Sequence, residues 1–150
     1  DIVRPGISLY GIDQKEIGNK ISLENVLTFK TKLISIKTVK KGDKVGYDGK
    51  WTAKKDSTIG ILPVGYADGY PSLMGNNGFV LVNGKKAKVV GKVSMDLTAV
   101  DLSNFKDINY EADVVLWGRD LPVEKIAKLT KNIPYSIMTS LSARVKRIYL

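Results

Sequence analysis

The chain has 150 residues, 43% hydrophobic and 26% charged, with a net charge of +9. That length and balance suit one ordinary domain with a real core and exclude wholesale disorder. Cysteine and histidine are both absent, which excludes a disulfide framework, thiolate metal sites and imidazole acid–base chemistry; no metal is expected.

The chain opens at Asp1 rather than Met, and Ile2-Val3-Arg4-Pro5-Gly6-Ile7 reads as the end of a buried strand, so a piece of a longer protein is expected. Phe29–Ile36 alternates with period 2 and predicts a strand. Lys41-Gly42-Asp43 turns the chain into a short strand over Lys44–Tyr47. Ser57–Val64 is a β-rich run, interrupted by Pro63, that ends at Gly65-Tyr66. Phe79–Val82 and Lys86–Val90 flank Asn83-Gly84, the strongest short hairpin signal. Ser94–Leu102 and Ala112–Trp117 supply two further strands. A helix is predicted over Pro122–Lys131, with Val123, Ile126, Ala127 and Thr130 on one face, and Pro134 should end or reset it. A second short helix follows from Tyr135 to about Leu141, and Arg144–Tyr149 reads as a closing strand. Many short strands with one or two late helices predict a mainly β fold, a small β-barrel carrying a helical insertion.

With imidazole and thiol absent, proton chemistry near neutral pH falls to Tyr, Lys or a carboxylate. Tyr47 and Tyr66 each follow a glycine in a turn-like context, Gly46-Tyr47-Asp48-Gly49 and Gly65-Tyr66-Ala67-Asp68-Gly69-Tyr70, where small neighbours let a phenol reach into a cleft. The Arg4-Pro5-Gly6-Ile7 turn offers bare N–H groups of the kind that hold a phosphate. Taken singly, each has an ordinary structural reading beside the functional one: a half-packed strand-end tyrosine, an aromatic before an Asp-Gly turn, a strand-to-loop corner, Met95 packed inward, Tyr135 in a helix core. The positive charge is carried mostly by scattered lysines, with four arginines (Arg4, Arg119, Arg144, Arg147) among 24 basic residues. Base readout and bidentate phosphate contacts favour arginine, so a lysine-rich surface is the better reading and no nucleic-acid partner is expected.

Read in order, the motifs acquire a joint meaning. Arg-x-Gly-Ile-x-x-Tyr-Gly from Arg4 is followed by Gly-Tyr-x-Gly at Tyr47 and Gly-Tyr-Ala-Asp-Gly-Tyr-Pro at Tyr66. Val-Asn-Gly, Gly-Lys-Val-Ser-Met-Asp, Ile-Pro-Tyr and Ser-Ala-Arg-Val-Lys-Arg complete the series. This order closely resembles the C-terminal part of alanine racemase, from Arg4 to Tyr149.

The resemblance implies a pyridoxal 5'-phosphate enzyme built from an N-terminal α/β barrel and a C-terminal β domain. Residues 1–22 would be the end of the barrel and its connector, and residues 23–150 the β domain. The implied Schiff-base lysine lies outside this chain, so the piece alone should be inactive. Its partners would be its own N-terminal barrel, a second copy in a homodimer and a small amino-acid substrate. Residue by residue, Tyr47 matches the catalytic acid/base, which reaches the partner subunit's site. Arg4 matches the contact to the cofactor's pyridine nitrogen, while Gly6, Ile7 and Tyr135 match groups that hold its phosphate. Met95 matches the main-chain N–H for the substrate carboxylate, Tyr66 a tyrosine at the entrance, and Asp96 is expected to support the same wall. The chain departs from the common pattern at Ser72, Ser136 and Gly46, often Arg, Glu and Ser in the family.

The implied activity is interconversion of L- and D-alanine for peptidoglycan. Absence of cysteine fits a reducing cytoplasm. A serine/alanine racemase domain of a membrane-attached protein is the near alternative, and Tyr135 leans towards alanine. A non-catalytic, polyanion-binding β-barrel is the alternative of another class.

Overall fold

The computed structural model describes residues 1–12 and 23–149. Among the described residues nine strands follow one another: β1 (Phe29–Thr31), β2 (Ser35–Val39), β3 (Lys44–Val45), β4 (Trp51–Thr52), β5 (Ser57–Leu62), β6 (Phe79–Val82), β7 (Lys85–Val90), β8 (Thr98–Asp101) and β9 (Val114–Trp117). Seven of them form an antiparallel sheet in the order β1-β9-β6-β7-β8-β5-β2, while β3 and β4 pair as a separate small hairpin. Two helices come late, α1 (Val123–Leu129) and α2 (Pro134–Thr139). The mainly β class with two short helices is as the sequence predicts.

The period-2 run over Phe29–Ile36 becomes two strands, because the chain changes partner within it. β1 pairs with β9 at one edge of the sheet and β2 with β5 at the other. Between them, Leu33 turns into the core and Ile34 N–H donates to Ile61 O at 2.9 Å. The step from Thr31 to Ser35 spans at most about 14 Å of extended chain. Both edges of the sheet must therefore approach each other, and the sheet curls into a barrel-like half-shell.

The β6–β7 hairpin turns at Asn83 (φ 46°) and Gly84 (φ 77°), the two positive φ values that a type I′ turn demands. Strand alternation then places buried side chains on both faces. Val80, Val82, Val89, Val100 and Leu116 enter the main core, which α1 and α2 cover with Val123, Ile126, Ala127 and Ile137. On the other face Val45, Ile59, Val90 and Ala99 form a smaller cluster with Trp51 against it, and this seats the β3–β4 hairpin on the sheet.

Three predicted strands are corrected. Ile2–Ile7 is not a strand: Ile2 is 94% exposed, and Gly6–Tyr10 is a 3-10 turn whose Ile7 is buried in the main core with Ile12. Ser94–Leu102 is strand only as β8, because Ser94 N–H and Oγ both close on Leu97 O and make a turn of its first half. Arg144–Tyr149 is not a strand; the Arg147 guanidinium folds back onto the carbonyls of Leu141, Ser142 and Val145, so the segment closes on itself rather than on a ladder. Residues 13–22, which include the near side of the expected domain boundary, lie outside the described residues.

Candidate active site

Three connections carry the residues singled out in the sequence. The first is the turn between β3 and β4. Gly46 (φ 80°) and Gly49 (φ 58°) flank Tyr47 and Asp48, and Asp48 itself sits at φ 59°. This left-handed run turns the chain away from the sheet and leaves Tyr47 70% exposed. Lys92 Nζ pairs with Asp48 Oδ2 at 2.5 Å and lies 5.6 Å from the centre of the Tyr47 ring, within cation–π range.

The second connection is the Gly65–Tyr70 loop, and the third is the Gly91–Leu97 segment between β7 and β8. They are laced together by main chain: Tyr66 N–H donates to Ser94 O and Ala67 N–H to Met95 O, both at 3.0 Å. That closeness accounts for Gly65, since a Cβ there would lie 2.2 Å from the Ser94 oxygen and 2.3 Å from the Met95 oxygen. Gly69 is under a matching constraint, with φ 97° and the Ser140 carbonyl 2.5 Å from where its Cβ would be. Asp68 is buried, accepts from Gly65 N–H at 2.8 Å and pairs with Arg144 Nε at 2.7 Å. The same guanidinium reaches Asp96 through its second terminal nitrogen. Arg144 thus bridges the loop that holds Tyr66 to the segment that holds Met95. Met95 is 53% exposed rather than packed inward.

Gly6 and Tyr135 form a separate meeting point. Gly6 is at φ 53°, and a Cβ placed on it would lie 3.7 Å from Tyr135 Oη. Gly6 and Ile7 open a 3-10 turn, and the first N–H groups of such a turn have no acceptor within it. An unhindered main chain beside a phenol suits a phosphate-sized anion. Tyr135 itself stands in the first turn of α2, just after Pro134. Arg4 is exposed and forms no ion pair among the described residues.

Within one chain, then, Tyr66, Met95 and Asp96 are brought together, as are Gly6 and Tyr135. Tyr66 and Ser136 both line a cavity of about 220 Å³ between the Gly65–Tyr70 loop and the helices. Tyr47 reaches the Gly91–Leu97 segment through Lys92 and is not hydrogen-bonded to Gly6 or Tyr135. Sequence reading missed Lys92, Asp68 and Arg144 as partners of these residues; they pair across gaps of 44 to 76 positions, which no local pattern records.

This half-shell of strands, carrying tyrosines on glycine-bounded turns and an anion-sized corner at Gly6, matches the family described as "Alanine racemase, C-terminal domain" over residues 26–149. The chain belongs to that family. It is 40% identical to the alanine racemase of Aliivibrio salmonicida (strain LFI1238), covering 100% of this chain and 42% of that one. It is also 40% identical to the biosynthetic alanine racemase of Salmonella typhimurium (strain LT2), again over its whole length and 43% of the relative. Among solved structures it superposes on alanine racemase from Streptomyces coelicolor A3(2) with a TM-score of 0.92 at 36% identity, covering 100% of this chain and 41% of that one. The Bartonella henselae enzyme, solved with covalently bound pyridoxal phosphate, gives 0.90 at 36% identity over 97% and 40%. The chain therefore spans about two fifths of the length of the relatives it matches.

Proposed function

We propose that this chain is the C-terminal part of a pyridoxal-phosphate-dependent alanine racemase, with Tyr47 as one of its two proton carriers. The observation that carries this reading is the meeting of Gly6 and Tyr135, from opposite ends of the chain, at the two positions that the family resemblance assigns to a single phosphate. The residues present fit such a cofactor: a glycine main chain without Cβ, a phenol beside it and an exposed arginine two residues upstream.

When bound, the cofactor withdraws electrons from the amino acid's Cα and makes its proton acidic. The chain's own residues then have distinct tasks. Gly6, Ile7 and Tyr135 hold the phosphate. Arg4 would face the ring nitrogen, and because a guanidinium does not release its proton, it would leave that nitrogen unprotonated. The Met95 N–H holds the substrate carboxylate, with Tyr66 and Asp96 forming the wall beside it. Inversion at Cα needs a proton taken from one face and returned to the other. Tyr47 Oη serves one face, and a lysine outside these residues serves the opposite one.

A second copy of the chain is part of the proposal. Tyr47 is highly exposed and has no hydrogen bond to Gly6 or Tyr135 of its own chain, which supports its acting in a partner's site. On this reading residues 1–22 belong to the N-terminal barrel, and the piece alone racemises nothing. The test uses the full-length parent protein. Cofactor absorbance is recorded and D-alanine formation from L-alanine is followed with and without Tyr47→Phe, with L-serine as the competing substrate. The variant should keep its cofactor while kcat falls by at least about 100-fold. An undiminished rate would remove Tyr47 from the mechanism.

A further inference from the structure

Tyr47 stands on a turn that its own hairpin is poorly equipped to hold. β3 and β4 have two residues each, and an isolated two-stranded hairpin is marginal in water. Gly46, Asp48 and Gly49 all have positive φ, so the unfastened turn would have many other conformations open to it. Yet a group that transfers a proton must be held to a fraction of an ångström.

The fastening comes from outside the hairpin. Asn76, in the loop before β6, donates through Nδ2 to Lys50 O at 3.1 Å, on the outgoing side of the Tyr47 turn. Its Oδ1 accepts from Gly91 N–H at 2.7 Å. Next to Gly91, Lys92 reaches back to Asp48 and covers the Tyr47 ring. The main chains of Gly46 and Gly91 meet here: a Cβ on Gly46 would be 3.3 Å from Gly91 Cα. Asn76 holds φ 57°, a conformation that asparagine tolerates better than most residues. One amide therefore ties the turn to the same segment from which Lys92 grips it.

We propose that Asn76, acting with the Lys92–Asp48 pair, is a positioning residue for Tyr47: it sets the placement of the phenol for proton transfer without touching substrate or cofactor. This rests on the assignment of Tyr47 as proton carrier. A residue that merely stabilises the domain would alter melting and leave the proton-transfer step alone. A positioning residue would do the reverse.

The experiment compares full-length wild type with Asn76→Gly, Asn76→Asp and Tyr47→Phe. Glycine accepts φ 57° and removes both hydrogen bonds, so backbone strain is not added. Asn76→Gly should lower kcat by about 10- to 100-fold while KM stays within about threefold. The Cα-deuterium isotope effect should rise for the enantiomer whose proton Tyr47 removes, and not for the other. Amide hydrogen exchange over residues 46–50 should speed up by at least about tenfold, a readout independent of turnover. Asn76→Asp keeps the acceptor for Gly91, loses the donor to Lys50 and should fall between the two. If Asn76→Gly does not fold, Asp48→Asn breaks the ion pair at a residue type that tolerates φ 59° and should give the same one-sided isotope effect. Wild-type kcat and isotope effects in a folded Asn76→Gly protein overturn the proposal, as does a loss of rate with both isotope effects unchanged. If Tyr47→Phe racemises normally, the proton-carrier assignment falls and this inference with it; a dead Tyr47→Phe beside a normal Asn76→Gly removes only the inference.

Discussion

Arg144 Nε donates to Asp68 Oδ1 at 2.7 Å, joining the last turn of the chain to the loop that presents Tyr66. Asp68 is nearly enclosed, with 11% of its side chain exposed, while about half of the Arg144 side chain is open to solvent. Asp68 cannot be rehydrated easily when its partner is lost, although Gly65 N–H still donates to it. Arg144→Gln should therefore lower stability, by less than for a fully buried pair because water screens the exposed arginine. Arg144→Lys should recover only part of this, since a compact ammonium lacks the planar fork of nitrogens that spans Asp68 and Asp96. Urea denaturation midpoints decide it; a midpoint for Arg144→Gln equal to wild type would mean that the bridge contributes nothing.

Gly65 and Gly42 separate two reasons for glycine. Gly65 has φ −150°, open to any residue, but its Cβ would press into the Ser94 and Met95 oxygens. Gly42 has φ 95° with nothing within 4 Å. Gly65→Ala should cost about 2–3 kcal/mol through overpacking of rigid main chain. Gly42→Ala should cost about 1 kcal/mol through backbone strain alone. Equal losses in thermal denaturation would show that the Gly65 loop yields more readily than its close contacts imply.

Tyr70 is fully buried, and its Oη has no hydrogen-bond partner among the described residues. Burial pushes its ionisation well above the ordinary phenol range. A raised pKa in the folded state stabilises the fold while the unfolded phenol is still protonated, below pH ~10. As pH rises further, the unfolded chain ionises first and that contribution is lost. Tyr70→Phe should remove this alkaline decline and raise stability at pH 7 by roughly 1 kcal/mol, because an unpartnered hydroxyl is no longer buried. Melting temperatures of both proteins between pH 7 and 11 test the sign. A variant that melts lower at pH 7 would reveal a partner for the hydroxyl.

Tyr135 Oη beside Gly6 makes a prediction about binding rather than turnover. In the full-length protein, Tyr135→Phe should weaken pyridoxal phosphate by about 10-fold, the loss of one hydrogen bond to a charged group. Pyridoxal lacking its phosphate should bind both proteins equally. Equal affinity of the phosphorylated form for both proteins would detach Tyr135 from the phosphate.

Local chemistry made much of the fold legible in the sequence. Asn83-Gly84 announces its hairpin because two adjacent positive φ values are a demand on individual residues. Pro122 and the spacing of Val123, Ile126 and Ala127 announce α1 because one helical face repeats every few positions. The motif order from Arg4 to Arg147 carries the family. Strand periodicity, by contrast, says which side a residue faces and not which neighbour it pairs with. Phe29–Ile36 therefore reads as one strand although it serves both edges of the sheet, and Arg144–Tyr149 reads as strand although its arginine closes on its own turn. The site divides in the same way. Sequence alone excluded histidine and thiol and left Tyr, Lys or a carboxylate for any proton chemistry, and it marked Tyr47 and Tyr66 by their glycines. Tertiary structure alone decided what holds them: Lys92 and Asn76 at Tyr47, and the Ser94 and Met95 carbonyls and the Asp68–Arg144–Asp96 bridge at Tyr66. Those partners are dozens of residues apart, and a contact between distant segments leaves no period, propensity or turn preference in the local sequence from which it could be read.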